Sequence, residues 1–439
     1  MRSPISEFLN SYAASSAVRM HMPGHKGRGE GYLNDLTEIV GADCLFVADG
    51  IIGESERCLS DIFSSDSYYS TEGSSLSIRT ALHLVTLYAR SVGKRPLVLA
   101  ARNVHKAFIS SAILSDFDIE WLSGGEYLTS SVTPDLVEKR LSEGETPIAL
   151  YLTSPDYLGG IVDIAGISEV CKKYGVFLVV DNAHGAYLRF LPASRHPIDL
   201  GADIAVDSAH KTLPVLTGGG YLHLSRSLPA FFRENVKDAM ALFASTSPSY
   251  LILESMDRLN PYLAGGFSAD LWERIEKVSE VKSRLIGGGY TLVGDEPMKI
   301  TVLAKPYGYY GFELAEWLME KGIYVEFFDR DYLTLMPSVS TEDTELDLVA
   351  DALLALAPRD AILEAAPLIP APVRVTSPRA ASMSPTEVLP LALCVGRVLA
   401  ETSVSCPPAV PILVSGELVT EDALAAFSYY GITSLKVVK

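Results

Sequence analysis

The chain has 439 residues, more than one ordinary hydrophobic core organises, so two or three domains are expected. Hydrophobic residues make up 48% and charged residues 21%, a globular balance that excludes a disordered chain. A formal charge of −18 argues against a nucleic-acid partner, since phosphate backbones demand clustered Lys and Arg, and it favours a cationic small molecule by raising its local concentration.

The first sixteen residues, MRSPISEFLNSYAASS, lack a basic start followed by an apolar run, so no secretory signal is expected. No stretch approaches the run of about 18 apolar residues that a membrane span requires, and a cytoplasmic location is expected. Cys44, Cys58, Cys171, Cys394 and Cys406 are scattered, with no C-x-x-C pair, so neither a zinc site nor a disulfide framework is predicted. Residues 1–40 read as an irregular arm, rich in Gly and basic groups around RMHMPGHKGRGEGY.

From about 41 to 270, short apolar runs alternate with amphipathic stretches. PLVLAA (96–101), PIALYLTS (147–154), VFLVVD (176–181) and ADIAVDSA (202–209) predict buried parallel strands. DIAGISEVCKKYG (163–175) predicts a helix stopped by Gly175. Strands alternating with helices predict an α/β domain with a mostly parallel sheet. The charged helix SADLWERIEKVSEVKSRLI then leads into a small α+β domain, 271–360. The proline-rich AAPLIPAPVRVTSPRAAS reads as a connection to a C-terminal domain, 375–439, which includes CPPAVPILVSGE and a last strand, SLKVVK.

Four segments place polar residues where strands should end, and open α/β sheets bind ligands there. In STEGSSLSIRT, Gly73, Ser74 and Ser75 precede a helix, where backbone N–H groups and hydroxyls suit a phosphate; a plain helix cap is the simpler reading, and Glu72 is the wrong charge for an anion site. His105, after PLVLAA, would stand above the sheet edge, either stacked on a flat ring or as an ordinary loop histidine. Asp181 ends VFLVVD, placed to keep a pyridine nitrogen protonated or else to cap the next helix, with His184 close behind. Lys211, in Ser208-Ala209-His210-Lys211-Thr212, follows a strand in apolar surroundings that lower an amine's proton affinity and favour Schiff-base chemistry. It lies 30 residues beyond Asp181, which puts the two on neighbouring strand ends. The set carries far more weight than any member.

Together MHMPGHKG (20–27), NVHKAF (103–108), VDNAHGAYLRF (180–190), DSAHKTLPVLTGG (207–219), STSPSYLILESMDRL (245–259) and PPAVPILVSGE (407–417) resemble the Orn/Lys/Arg decarboxylases, pyridoxal 5′-phosphate enzymes of fold type I. The resemblance spans nearly the whole chain, in the compact form without an extra N-terminal domain. It implies decarboxylation of lysine, arginine or ornithine, with Lys211 carrying the cofactor as a Schiff base and Asp181 paired with its ring nitrogen. It further implies His105 stacked on the ring, His184 on the Asp181 side, and Ser74, Ser75, Ser208 and His210 at the phosphate. A proton returns to Cα from Lys211, His210 or water. Ser245 and Ser247 would reach a neighbouring subunit's cofactor, giving a homodimer with shared sites. The family usually has Asn where Glu72 stands. Glu326 and Asp329, in YVEFFDRD, are candidates for reading the distal cation. The same residues would also serve an aminotransferase or lyase, or a catalytically weak cofactor-binding homologue.

Overall fold

The computed structural model describes residues 1–122, 132–368, 371–406 and 410–439. Part of the proline-rich connection, Ile369 and Pro370, and Pro407, Pro408 and Ala409 of the C-terminal motif lie outside the described residues.

Seven strands build the large sheet: β1 (Asp66–Ser70), β2 (Leu97–Ala100), β3 (Asp118–Trp121), β4 (Ala149–Thr153), β5 (Phe177–Asp181), β6 (Ile204–Asp207) and β7 (Gly220–Leu224). Their order is β1-β7-β6-β5-β4-β2-β3, and β7 alone runs against the rest. The four apolar runs read as strands supply β2, β4, β5 and β6. All but the last residue of β4 are buried, and only the first of β5 is partly exposed, because helices cover both faces. The helix expected at 163–175 spans Ile164–Tyr174. The Asp163 side chain accepts from Gly166 N at its start, and Gly175 ends it at φ +66°, where a side chain would be strained.

Between β5 and β6 the crossover holds only a short 3-10 turn, Ala186–Phe190, and not the full helix that the βαβ pattern implies. The arm differs from expectation too. Pro4–Ala14 is a helix whose Ile5 and Leu9 are buried, with Phe8 and Tyr12 packed against the same core. Those four residues fall at i, i+3, i+4 and i+7, an apolar stripe masked by the Gly-rich stretch that follows. Asp257 on helix Tyr250–Leu263 accepts from Ser6 N at 2.9 Å and pins the arm down.

After helix Phe267–Gly287, an antiparallel sheet of β8 (Thr291–Val293), β9 (Ile300–Leu303), β10 (Phe327–Phe328) and β11 (Tyr332–Leu335) forms in the order β10-β11-β9-β8. The last part of the chain has its own core of Leu399, Ile412, Phe427, Leu435 and Val437. It is tied to the large sheet by Arg102, whose guanidinium makes two bonds of 2.7 Å to the buried Glu417 carboxylate and lies over Trp121. Among the described residues no helix is long and apolar enough to cross a membrane.

Candidate active site

The carboxyl ends of β2, β4, β5 and β6 lie side by side, so residues far apart in sequence meet above them. Asp181 closes β5 and is 2% exposed. Burial pushes its carboxyl up, while a 3.0 Å bond from the Tyr151 hydroxyl and the Lys211 charge pull the other way. A carboxyl in such a place gains from a cation set beside it.

Lys211 stands on the one-turn helix Ala209–Thr212, directly after β6, which pairs with β5. Burial lowers its proton affinity against the opposing pull of Asp181 and Glu326. The turn is locked from behind: His210 N and Nδ1 both donate to Gly219 O, at 3.1 and 2.8 Å. A side chain on Gly220 would meet Gly73 C at 2.8 Å and Asp207 O at 3.0 Å, so only glycine lets these loops close. Below the turn, the buried Asp207 carboxylate receives Asn182 Nδ2 at 2.6 Å, His196 Nε2 at 3.1 Å and His223 Nε2 at 3.2 Å. This network bridges the tips of β5 and β6 and fixes the spacing of Asp181 and Lys211.

His105 caps helix Lys106–Ser115, its Nδ1 accepting from Ala107 N at 3.2 Å. Burial, then the charges of Lys211, Lys106 and Arg79, hold its pKa down to about 4, so the ring is neutral. His184 is buried and its proton affinity is held well below that of a free imidazole, first through burial and then through Lys299, Lys211 and His105. Its Nε2 is 2.9 Å from Lys211 Nζ and its Nδ1 is 3.0 Å from Lys299 Nζ. The Tyr157 ring meets His184 edge-on at 4.9 Å, and its hydroxyl donates to Glu326 at 2.7 Å.

Helix Gly73–Ser91 starts beside this group. Gly73, at φ +63°, takes a conformation that other residues resist, and its N–H is already given to Gly218 O at 2.7 Å. That corrects the expectation of a free Gly73 donor; the Ser74 and Ser75 N–H groups have no acceptor within the helix. Ser208 Oγ donates to Ser74 Oγ at 2.7 Å, bringing two of the expected phosphate residues together. Glu72 does not cap the helix: its carboxylate accepts from Ser245 N at 2.7 Å. Ser245 and Ser247 are exposed on this chain, with Ser247 N bonded to Ser245 Oγ at 3.2 Å.

Glu326 thus belongs to the cluster, through Tyr157 and Lys211. Asp329 has another task, accepting the Asp331 and Tyr332 N–H groups at 2.7 Å in the β10–β11 turn. The MPGHKG stretch bonds locally, with His25 Nε2 on Asp35 at 3.0 Å and His21 Nε2 on Tyr12 at 2.7 Å. Lys299, Tyr151 and Tyr157 were not identified from the sequence. Tyr151 sits in an identified strand, and its inward register was the available signal. Lys299 arrives from beyond the large domain and had none.

Residues 3–286 match the major domain of Orn/Lys/Arg decarboxylases. The chain is 30% identical to an arginine decarboxylase of Halalkalibacterium halodurans, over 97% of this chain and 92% of that one. It is 27% identical to an arginine decarboxylase of Bacillus subtilis, over 96% and 92%. The lysine decarboxylase of Francisella novicida superposes with a TM-score of 0.79 at 17% identity, covering all of this chain and 81% of that one, a likeness of fold. The architecture is fold type I, as the resemblance implied, and the chain belongs to the Orn/Lys/Arg decarboxylase family.

Proposed function

We propose that the chain decarboxylates a basic amino acid, arginine, lysine or ornithine, with pyridoxal 5′-phosphate held on Lys211. The observation that carries this reading is a half-buried amine and a buried carboxylate on adjacent strand tips, each shifting the other's proton affinity. Family membership and the names of the relatives support the reaction.

The residues present fit such a cofactor. Asn103 Oδ1 and Nδ2, Thr153 Oγ1 and Thr212 Oγ1 are buried without a hydrogen-bond partner among the described residues, and all lie on the segments that carry the site. Buried polar atoms are rarely left so, and a polar ligand resolves it. Lys211 would hold the aldehyde carbon, Asp181 the ring nitrogen and His105 the ring face. His184 would stand on the Asp181 side, with Ser74, Ser75, Ser208 and His210 at the phosphate. When bound, the cofactor supplies a ring that accepts the electron pair left by the departing carboxylate.

The chain's own residues do the rest. Asp181, ionised and shielded from water, keeps a proton on the ring nitrogen. Lys211 must be neutral to act as a nucleophile and must later carry a proton for Cα. Glu326 offers a negative charge for the distal cation of the substrate. Ser245 and Ser247 are exposed here, with Ser245 N on Glu72, and suit the site of a second subunit, so we read the enzyme as a cytoplasmic homodimer. We divide the chain into an arm (1–40), a large cofactor-binding domain (41–270), a small domain (271–360) and a C-terminal domain (375–439); a separate sheet or core in each of the last three supports this.

The test is Lys211→Ala together with an assay of arginine, lysine and ornithine for CO₂ and amine. The variant is expected to keep the fold, lose the visible absorbance of the bound cofactor and lose all turnover. Full turnover in the variant, or keto acid in place of CO₂ from the unaltered enzyme, would sink the proposal.

A further inference from the structure

Lys299 is 3% exposed, outside the motifs, and takes no part in the function as stated above. Its Nζ has three neighbours at hydrogen-bond distance: Asp156 O at 3.2 Å, Tyr157 O at 3.2 Å and His184 Nδ1 at 3.0 Å. The other ring nitrogen of His184 faces Lys211 Nζ at 2.9 Å. One imidazole therefore lies between two amines.

A neutral imidazole has one N–H and one lone pair, and an ammonium can only donate. If both lysines were ammonium ions, His184 would need two lone pairs, an anionic ring excluded at ordinary pH. Protonating His184 instead would turn both N–H groups onto the amines, but burial and the neighbouring cations oppose a charge on that ring. The arrangement accommodates at most one positive charge over the two amines. Two protonation patterns satisfy it. In one, Lys299 is charged and donates to Nδ1, while Nε2–H donates to a free Lys211 amine. In the other the pattern is reversed.

We propose that Lys299 and Lys211 share a single proton through His184, so that Lys299 determines whether the Lys211 amine is free. The two carbonyls on Lys299 accept only from N–H and favour the charge on that side at rest. Around Lys299 stand Glu296, Asp156 and Glu326; around Lys211 stand Asp181 and Glu326; His105 faces the ring between them. Burial brings Lys299 down to about 8, against the pull of Glu296 and Asp156, close to the range in which a group both gives and takes a proton.

The role in turnover rests on the proposed decarboxylation. There the Cα–carboxylate bond breaks, its electron pair stays with Cα, and one proton must arrive. Lys299 gives a proton to Nδ1 as the Nε2 proton passes to Lys211, which hands it to Cα. A proton taken up from solvent at Lys211 then passes to Nε2 as the Nδ1 proton returns to Lys299, which restores the resting pattern. Lys299 is accordingly a positioning residue, acting on the reacting atoms through His184 and Lys211.

The sharing is tested on the full-length chain cleared of any bound aldehyde with hydroxylamine and free of substrate, so that Lys211 is an amine and the outcome is independent of the reaction. Competitive labelling with trace acetic anhydride, read lysine by lysine against pH, reports which amines are free. In Lys299→Met and in His184→Gln, Lys211 is no longer obliged to present a lone pair. Its labelling midpoint is expected to rise by about one pH unit, with about tenfold less labelling near neutrality, and other lysines unchanged. An unchanged Lys211 profile overturns the proposal. A shift in Lys299→Met without one in His184→Gln also overturns it, leaving only repulsion between charges. Where one variant fails to fold, the other decides; for the unaltered chain, nitrogen shifts showing both ring nitrogens of His184 protonated near neutral pH exclude the sharing.

Discussion

Asp181 must stay charged in a place that resists charge. Among the described residues its only side-chain donor is Tyr151, so a cationic ring nitrogen would relieve the burial cost that raises its proton affinity. Asp181→Asn keeps the shape and removes that charge, and is expected to retain the bound cofactor while slowing decarboxylation by about three orders of magnitude or more; equal rates would remove the pyridinium role. His105 titrates in the opposite sense to a salt-bridged base. Its pKa is about 4 in the fold against about 6.5 in a free chain, so the unfolded chain takes up the proton first as pH falls. Its contribution to stability is full above about pH 6.5 and lost between there and about pH 4. Urea midpoints should fall less steeply over that window in His105→Asn than in the unaltered protein. Both residues were legible because each ends an apolar run, a local signal of a strand tip. Lys299 and Tyr157 were not, because their roles come from a chain crossing that no local pattern records.

Among the elements, the Lys211 turn shows the limits of such reading. A βαβ unit was expected between Asp181 and Lys211, and the adjacency of their strands followed from it. The connection is a 3-10 turn, and the spacing is held by Asp207, Asn182, His196 and His223 instead. Those contacts join residues from several segments, and the sequence carries no spacing that announces them. The arm helix was missed for a different reason: one good apolar stripe was followed by glycines, and the composition of the whole stretch hid the period of its first part. At the far edge of the sheet, Arg102 joins the C-terminal domain to β3 through Glu417, which also accepts from Trp121 Nε1 at 3.1 Å. Arg102→Met would leave a buried carboxylate without its cation and is expected to cost about 3 kcal/mol. Calorimetry should show the C-terminal domain melting earlier; an unchanged profile would mean that the ion pair is not what fastens it.

At the scale of the molecule, β7 alone breaks the parallel order, and its pairing with β1 sets it beside the start of helix Gly73–Ser91. Met20, Met22, Val40, Val47 and Leu242 are open to solvent on one chain. A second copy covering such side chains would shield them from water, and sedimentation at micromolar protein is expected to show a dimer. A monomer at that concentration would remove the shared site.

The Glu72–Ser245 bond gives that assembly a thermodynamic consequence. That bond lies within one chain; a second copy resting on the serine segment would hold it still, and with it the start of helix Gly73–Ser91 where the proposed phosphate would sit. Dissociation would then weaken retention of the anion, and by reciprocity bound phosphate would hold the pair together. Dilution alone, with no change of pH or salt, should bleed the prosthetic group from the protein.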